Sequence, residues 1–579
     1  MEHVEKTPGR PKKKHLNDIL PTSQVTLDDI IEEKRIIEGV YDIAGAMFDE
    51  MYAGLFKGKR GYEIARDVAL SRLVYPKSKR NTSQKLTNNF GREQSVEMIY
   101  WMMDQLYPKI DAIKKMTFNK TKSLFPEKID LLLFDVTTLY FESVETDDLR
   151  NFGYSKDLRF KTTQVVLALA TNQDGLPIGY ELFEGNRAEV STLVAAIESW
   201  KKLFDIHDIC FVGDRAMFSG PNLQLLEEKK YHYIIAAKLK QLPEYVQQKV
   251  FDEQNYKTSQ IGDNFAWTAQ FPFTLIDCAL LILKDIPKPE DIAFTLDGVA
   301  HAYAFIDESF YFLNKSTNSC VELPVSEAQF AELKKALKVK RKTIALIVSK
   351  ICLNKSLDAE RLDKIRLITN HHLPGQLTVS YKSSRAFKDR KDRQHILEKI
   401  QKTLGEKGNP NKLISNSGVK QFITKDENAA ITLDLQKIDD ASQWDGLHGI
   451  ITNIPDQTPA SLLLRYSNLW VIEESFRINK HTLRMRPMFH WVPRRIHAHI
   501  ALCYMTFSVL RHMQYRVNLT QKISIDTILD TLLNTQASIY IHKKTKDRYR
   551  VPGHFSNDAR KIYKAFGLER SLNAEIFMS

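Results

Sequence analysis

The chain has little cysteine, and its cysteines are not arranged for metal or disulfide chemistry. No CxxC pair occurs, and the five cysteines stand singly, mostly among apolar neighbours: Cys210, Cys278, Cys320, Cys352 and Cys503. Structural zinc sites and disulfide frameworks need paired or regularly spaced cysteines. We therefore expect reduced, buried thiols in a cytosolic protein, and neither a zinc site nor disulfide bonds.

Long apolar segments are also missing. No apolar signal segment stands near the N-terminus, and the longest apolar run, around residues 496–510, is interrupted by His497 and His499. A membrane-spanning helix needs about 20 consecutive apolar residues, so we expect no membrane insertion. Alternate residues of a helix point to different faces, so we assign the two histidines to packing or phosphate contacts and not to a metal.

Positive charge is in excess. Lys and Arg number 83 against 71 Asp and Glu, which gives a net charge of +12 and a pI near 9.1. This balance favours a polyanionic partner, although a soluble protein without such a partner can also carry it. At 579 residues, 43% of them hydrophobic, the chain should form two to four domains.

The N-terminal tail, residues 1–25, is polar and contains TPGRPKKKH. Arg10, between Gly9 and Pro11, resembles an extended arm that places arginine in the DNA minor groove. A solvated basic tail is the simpler interpretation of the same residues.

Residues 26–128 have the apolar periodicity of helices and predict an N-terminal helical domain. Within it, two short helical stretches are separated by Pro76 and a basic cluster of Lys77, Lys79 and Arg80. A helix-turn-helix DNA-binding motif and a structural bundle with a basic loop fit this pattern equally well.

Residues 129–245 alternate between strands and helices. IDLLLFDVTTLYFE is a dense apolar run around Asp135 and suits a buried strand. Two strands joined by a hairpin turn at Asp174 follow. A helix then leads to a short strand that ends on Asp214, and to another strand closed by Lys238. This order predicts a mixed α/β sheet with helices on its faces.

Residues 246–435 break this alternation and predict a large, mostly β insertion domain that includes a basic helix near residues 382–402. Its flanking strands enclose a nested module at about 273–374. The module has a strand-turn pattern in AHAYAFIDESFYFLNKS and then a helical pattern at about 327–353, and its role is not legible from the sequence. Strand and helix patterning returns in residues 436–520, which we interpret as the second part of the sheet domain. A basic C-terminal region, 521–579, follows.

The stretch YSNLWVIEESFRINKHTLRMR has a regular polar spacing. Tyr466, Glu473 and Lys480 recur at steps of seven, so on one helix they would share a face. The opposite face carries an apolar stripe that can dock on a core, made of Leu469, Ile472, Phe476 and Leu483. The simplest interpretation is a surface helix with ion pairs.

Two aspartates favour a catalytic interpretation of that helix. An aspartate within an apolar strand is costly to bury unless it is paired or bound to a metal, although either one alone could simply cap a turn. Together, Asp135, Asp214 and Glu473 form a carboxylate set that could hold two Mg²⁺ ions. With the ions about 4 Å apart, one can activate a water or 3′-hydroxyl while the other stabilises the leaving oxygen.

In combination, these motifs resemble a DDE transposase of a bacterial insertion sequence, in the group with a Tyr-Arg-Glu-Lys signature. The resemblance runs from about residue 30 to the C-terminus without the nested module, and rests on the strand of Asp135, the hairpin LPIGYELFEGN, GDRAMFS at Asp214, the long insertion, and Tyr466, Glu473 and Lys480. It implies a ribonuclease-H-like fold on which Asp135, Asp214 and Glu473 bind Mg²⁺, with Mn²⁺ as a substitute.

One position departs from the signature. Leu469 stands where the family has an arginine three residues after the tyrosine, and Arg465 and Arg477 are the nearby cations.

The distribution of cations fits a DNA track. Tyr466 and Lys480 are expected phosphate contacts, and the other expected DNA-binding cations are Arg10, Lys238, Arg477, Arg484, Arg486, Arg494 and Arg495. Trp444 is a candidate for stacking on a flipped base, as an aromatic does in related transposases, with core packing as the alternative.

The leading hypothesis is a cut-and-paste transposase of the bacterial cytoplasm, associated with the nucleoid when bound to DNA. It would bind the inverted repeats at the element ends, cleave there and join the 3′-hydroxyl ends to target DNA, as a homodimer in the synaptic complex. Two alternatives stay open: a structure-selective nuclease on the same fold, and a non-catalytic DNA-binding protein, such as a decayed transposase interrupted by the nested module.

Overall fold

The structure is a computed structural model that describes residues 27–125, 131–142, 145–153, 162–187, 189–204, 210–213, 223, 226–227, 229–242, 244–276, 302–306, 309–314, 319–324, 372–405, 417–425 and 431–576. Arg10 and Asp214 lie outside these residues. Within the described part of the chain, no helix is both long and apolar enough to cross a membrane. Cys210 and Cys503 are buried free thiols, as predicted for them.

The helices follow the apolar periodicity of the sequence, and serine side chains cap several of their N-termini, as Ser78 and Ser95 do. In chain order they are α1 Gly45–Tyr52, α2 Lys59–Val74, α3 Lys79–Phe90, α4 Val96–Leu106, α5 Ile110–Ser123, α6 Glu189–Leu203, α7 Glu244–Phe251, α8 Ser383–Gly405, α9 Ser417–Lys420, α10 Leu435–Ser442, α11 Pro459–Ser467, α12 Trp470–Arg477, α13 Pro493–Asn518, α14 Ile525–Asn534 and α15 Asn557–Ala565.

The strands are in chain order β1 Ile30–Ile37, β2 Leu131–Tyr140, β3 Gln164–Thr171, β4 Pro177–Glu184, β5 Cys210–Gly213, β6 His232–Ala237, β7 Lys257–Ile261, β8 Asn264–Ile276, β9 Ala302–Ile306, β10 Ser309–Asn314, β11 Ser319–Pro324, β12 His372–Tyr381, β13 Ile423–Lys425, β14 Ile431–Leu433, β15 Leu447–Thr452, β16 Gln536–His542, β17 Arg548–Pro552 and β18 Glu575–Ile576.

A nine-stranded mixed sheet organises the molecule, in the order β4-β3-β2-β5-β6-β15-β12-β8-β7. Strand β5 pairs parallel with β2 and with β6, and the other neighbours pair antiparallel. The hairpin predicted at Asp174 joins β3 to β4, with Gly175 at a φ of +76°. The predicted mixed α/β sheet is therefore confirmed.

Strand β2 is the apolar centre of this sheet because its successive side chains enter two different cores. Leu131 and Leu133 belong to a core that includes the N-terminal helices, α12 and α13. Leu132 and Phe134 belong to the core on the opposite face, which includes α6 and its fully buried Trp200. Both faces of the sheet are thus covered by helices.

The two ends of the described chain are joined by backbone pairing. The helical periodicity of residues 26–128 predicted helix from the start of that region, and this is wrong for Ile30–Ile37. That segment is strand β1, which pairs antiparallel with β16 in a four-stranded sheet, β1-β16-β17-β18. The hydrogen-bonding partner lies about 500 residues away in sequence, so local periodicity could not reveal it.

The strands that flank the nested module extend the large sheet. Strands β8 and β12 pair with each other along their length, and β12 also pairs with β15. Within the module, β9, β10 and β11 form an antiparallel sheet, as the strand-turn pattern predicted. The helices predicted at about 327–353 lie outside the described residues.

Candidate active site and nucleic-acid interface

Asp135 lies within β2, half-buried among apolar neighbours. Its Oδ1 accepts a hydrogen bond from the backbone N–H of Val136 at 2.7 Å. Because side chains alternate along a strand, Asp135 faces the same side of the sheet as Leu133. That side is covered by α12, which packs against β2 and β3.

Glu473 lies on α12 and is exposed. The residues that dock this helix are buried: Ile472 is 0% exposed and Phe476 5%. Leu483 is buried in the same core and Leu469 packs against it, so the predicted apolar stripe is confirmed. Docking of α12 therefore brings Glu473 to the face of the sheet that carries Asp135.

Strand β5 leads toward the second predicted carboxylate. Val212 of β5 pairs in parallel with Leu133 of β2. Asp135 follows Leu133 by two residues, and Asp214 follows Val212 by two residues. Asp214 itself lies outside the described residues.

The residues from Tyr466 to Lys480 do not form one continuous helix, so the prediction that Tyr466, Glu473 and Lys480 share one helix face is wrong. Helix α11 ends at Ser467, and a tight turn with a hydrogen bond from Leu469 N–H to Tyr466 O, at 3.0 Å, separates it from α12. A π-helical turn, Ile478–Thr482, then follows α12. The physical reason is docking: α11 packs against β7, β8 and β12, whereas α12 packs against β2.

The two predicted phosphate contacts of this stretch therefore lie on separate elements. Tyr466 is half-buried near the end of α11, with its ring 5.2 Å from the ring of His448 on β15. Burial, with Arg385 and Lys382 nearby, lowers the pKa of His448 to about 4, so this histidine is neutral at pH 7. Lys480 is half-buried on the π-helical turn.

Three of the predicted track cations are engaged in ion pairs. Arg477 pairs with Glu474 at 3.5 Å. Arg494 and Arg495 both pair with Asp104 of α4, at 3.1 and 2.9 Å. In the sequence, no acidic residue lies between Arg477 and Arg495. In the tertiary structure, Asp104 of α4 pairs with two of these cations and thereby fixes the start of α13 to α4.

Arg484 and Arg486 lie at the end of β2. The N–H of Met488 donates to Tyr140 O at 3.3 Å. The segment after the π-helical turn therefore lies next to Tyr140, the last residue of β2. The guanidinium of Arg486 lies 5.3 Å from the centre of the Tyr140 ring. Arg484 is exposed, and its carbonyl accepts a hydrogen bond from Arg72 Nη2 at 2.8 Å.

Arg72 and Lys79 are buried cations whose environment the sequence did not predict. Each is 5% exposed. Neither interpretation of the sequence around Pro76, a helix-turn-helix motif or a bundle with a basic loop, predicted that Lys79 is buried. The basic cluster itself was visible in the sequence. Its partners, Arg484 and His499, were not, because they are more than 400 residues away.

Lys238 and Trp444 line a cavity of about 510 Å³ between β6, β15 and α8. Lys238 is exposed, and Trp444 is half-buried, with its ring 4.5 Å from that of Phe251. Arg393, also in the lining, forms a two-bond ion pair with Asp445, at 2.5 and 2.6 Å. Trp444 thus packs against Phe251 and also borders the cavity.

The predicted Mg²⁺ site requires oxygen ligands from carboxylate side chains. Asp135 and Glu473 offer the carboxylates that hard cations such as Mg²⁺ prefer, so their chemistry fits the ion. Within the described ranges, which do not contain Asp214, no group of three His, Cys, Asp or Glu side chains is arranged as a metal site.

Comparison with known proteins identifies the class. The family described as "Transposase DDE domain" matches residues 126–508, about two thirds of the chain. The chain therefore belongs to this family of DDE transposases, and the resemblance found in the sequence is confirmed at that level.

One solved structure with similarity is the cryo-EM structure of the piggyBac transposase synaptic complex with hairpin DNA. The identity is 8%, the match covers 86% of this chain and 76% of that chain, and the TM-score is 0.32. Among proteins of curated function, none matches this chain.

Proposed function

We propose that this chain is a cut-and-paste DNA transposase that binds element ends, cleaves DNA there and transfers the 3′-hydroxyl ends to target DNA. Besides its family, the observation that supports this most directly is the docking of α12 on β2. It brings Glu473 and Asp135 to one face of the sheet. A helix that carries a carboxylate and packs on the face of the sheet with the Asp135 carboxylate suits phosphoryl transfer.

The strand order supports a ribonuclease-H-like catalytic domain. In the order β4-β3-β2-β5-β6, a three-stranded antiparallel meander is followed by two strands parallel to β2. Asp135 and Asp214 each stand two residues beyond paired positions of neighbouring parallel strands, Leu133 and Val212. This supports Asp214 as the second catalytic carboxylate. The antiparallel strands beyond β6 lead into the insertion domain.

In this proposal Asp135, Asp214 and Glu473 hold Mg²⁺, with Mn²⁺ as a substitute. The bound ions would lower the pKa of an attacking water or hydroxyl and stabilise the leaving oxygen. The protein orients the donors: the Val136 N–H fixes one Asp135 oxygen, and the buried stripe of α12 fixes the helix under Glu473. Tyr466, Lys480, Arg484 and Arg486 hold DNA phosphates.

The proposal includes the Tyr-Arg-Glu-Lys group of bacterial insertion sequences. Leu469, at the position of the signature arginine, packs against the core. Another cation must therefore contact the DNA phosphate that this arginine would hold. We assign it to Arg477, because its ion pair with Glu474 is long and its side chain is 66% exposed. Such pairs contribute little stability, so phosphate can replace the carboxylate at small cost.

The partner in this proposal is double-stranded DNA, at the element ends and at the target. Coordinated cleavage of two ends needs two active sites in one complex, which supports a homodimeric synapse. The protein would act in the bacterial cytoplasm, at the nucleoid.

The test is cleavage of labelled duplexes taken from the DNA on either side of the coding sequence. Wild type, Asp135→Asn and Glu473→Gln are compared in Mg²⁺, Mn²⁺, Ca²⁺ and EDTA, with exposed Glu97→Gln on α4 as the matched control. We expect cleavage in Mg²⁺ or Mn²⁺ by wild type and the control. Both active-site variants should lose cleavage but still bind DNA.

Two results would contradict the proposal. Equal loss of binding and cleavage in Glu473→Gln would mean that Glu473 supports the DNA surface and not the metals. If wild type does not join a pre-nicked end to supercoiled target DNA, the protein is a structure-selective nuclease on the same fold and not a transposase.

A further inference from the structure

A strongly basic cavity lies between the α2–α3 connection and the segment that follows the π-helical turn. Its volume is about 330 Å³. We call it the basic cavity, and its charged lining residues are Arg72, Lys77, Lys79, Arg80, Arg484 and Arg486. Among the described residues that line it there is no aspartate or glutamate. A lining that contributes six cations and no carboxylate favours an anion as the ligand.

Two of these cations are buried without a charged partner among the described residues. Arg72 Nη2 donates to the carbonyl of Arg484, but Arg72 Nε has no hydrogen-bond partner. Lys79 Nζ lies 3.4 Å from Nδ1 of His499. A buried charge is costly unless it is paired, so the folded chain holds a binding site whose counter-charge is missing.

The histidines of the basic cavity are neutral. Burial, with Lys79 and Arg72 nearby, lowers the pKa of His490 to about 3 and the pKa of His499 well below its ordinary value. His499 Nε2 lies 3.3 Å from the carbonyl of Met485. A proton on Nε2 therefore leaves Nδ1 as the acceptor for Lys79, which orients the ammonium group but supplies no negative charge.

Burial and the Arg72 charge also lower the pKa of Lys79 to about 7. Helix α3 begins at Lys79, so the positive end of its dipole adjoins the same space. An anion in the basic cavity would face the buried cations and the helix terminus together.

The position of the basic cavity indicates which anion it takes. Arg486, in its lining, lies over the ring of Tyr140, the last residue of β2. Tyr140 follows Asp135 by five residues, a length of about 17 Å along a strand. Successive nucleotides of a duplex rise about 3.4 Å along the helix axis, and each strand also winds around that axis. A straight-line separation of about 17 Å therefore spans only a few nucleotides. Lys77, Arg80 and Arg484 are exposed at the mouth, as suits a continuous polyanion.

We propose that the basic cavity binds one backbone phosphate of the element-end DNA, a few nucleotides from the cleaved phosphate, and that Arg72 and Lys79 are the positioning residues that fix this register. This inference rests on the proposed function. It assigns a role in DNA positioning to the connection between α2 and α3.

The experiment is phosphate-replacement mapping. End duplexes that carry a single neutral methylphosphonate at successive positions are titrated with wild type, Lys79→Met and Lys59→Met in Ca²⁺, so that the result does not depend on cleavage. Methionine fills the place of Lys79 without its charge. Lys59, whose side chain is 87% exposed, provides a control with the same loss of charge.

Wild type and Lys59→Met should lose about 10- to 100-fold in affinity when the methylphosphonate occupies one position a few nucleotides from the cleavage point. Lys79→Met should bind the unmodified duplex correspondingly more weakly, lose nothing further at that position, and show a salt slope smaller by about 0.9. A Lys79→Met profile identical to that of wild type would overturn the proposal.

Inorganic phosphate separates the two sources of a phosphate group. If it stabilises wild type but not Lys79→Met against unfolding, while the methylphosphonate profiles of the two proteins coincide, the basic cavity is a small-anion site and the DNA assignment falls. If Asp135→Asn still cleaves, the proposed function falls whatever the mapping shows.

Discussion

Replacing Lys79 by methionine should make the free protein more stable, although the residue lies at a proposed binding site. The side chain is 5% exposed, and its nearest polar neighbour in the basic cavity is neutral His499. Methionine has a similar length and no charge to desolvate. The substitution therefore removes an electrostatic penalty with little change in packing.

The size of the effect follows from the pKa of Lys79, which falls from its ordinary value of 10.5 to about 7 in the folded chain. At 1.36 kcal/mol per unit this is a penalty of about 5 kcal/mol at pH 6, where both the folded and the unfolded chain are protonated. It is an upper limit, since buffer anions in the basic cavity would offset part of it.

The penalty depends on pH in a defined direction. Between about pH 7 and 10.5 the unfolded chain binds the Lys79 proton and the folded chain does not, so wild-type stability rises with pH in that window. About 2 kcal/mol of the penalty remains at pH 9. The gain from Lys79→Met should therefore be about 3 kcal/mol larger at pH 6 than at pH 9.

Urea unfolding at pH 6 and pH 9, in chloride buffer free of phosphate and sulfate, measures this difference. Exposed Lys59→Met is the control and should change the free energy of unfolding by less than about 0.5 kcal/mol. A loss of stability in Lys79→Met at both pH values, or a gain that does not change with pH, would refute the assignment of Lys79 as a buried, uncompensated cation.

Two further substitutions test how the proposed catalytic face of the sheet is held. Gly175→Ala should cost about 2–4 kcal/mol, because Gly175 has a φ of +76° and the added methyl group would meet the guanidinium of Arg511, which donates to its carbonyl at 3.0 Å. Gly58→Ala, with open space around it and a negative φ, should be nearly neutral in the same urea titration. Ile472→Ala should cost about 2–5 kcal/mol and reduce cleavage although Glu473 is intact, because Ile472 docks α12. Leu464→Ala, on the 46% exposed residue of α11, should leave both stability and cleavage nearly unchanged, and an equal effect of the two would argue against docking of α12.

The local pattern of the sequence was sufficient to predict the strand that carries Asp135 and its surroundings. The run around Asp135 is apolar on both sides because β2 separates two cores, and Asp174 with Gly175 forms a hairpin because glycine adopts the positive φ that the turn requires. The stripe of Ile472, Phe476 and Leu483 docks as its spacing predicted. In each case the information lies within about ten neighbouring residues. Asp214 and Arg10, outside the described residues, stay predictions.

What the sequence could not decide depends on contacts between distant residues. Ile30–Ile37 is a strand because β16 pairs with it. The stretch from Tyr466 to Lys480 breaks because its two halves dock on different strands.

Lys79 shows the same limit at the candidate site. The sequence around Pro76 predicted either a helix-turn-helix motif or a bundle with a basic loop, and neither interpretation predicted that Lys79 is buried. Arg484, His490 and His499, which are distant in sequence, line the same cavity as Lys79. The sequence determined which side chains carry charge. Only the tertiary structure determined which of those charges lie out of water without a partner, because burial depends on the elements that pack around a residue and not on its neighbours in the chain.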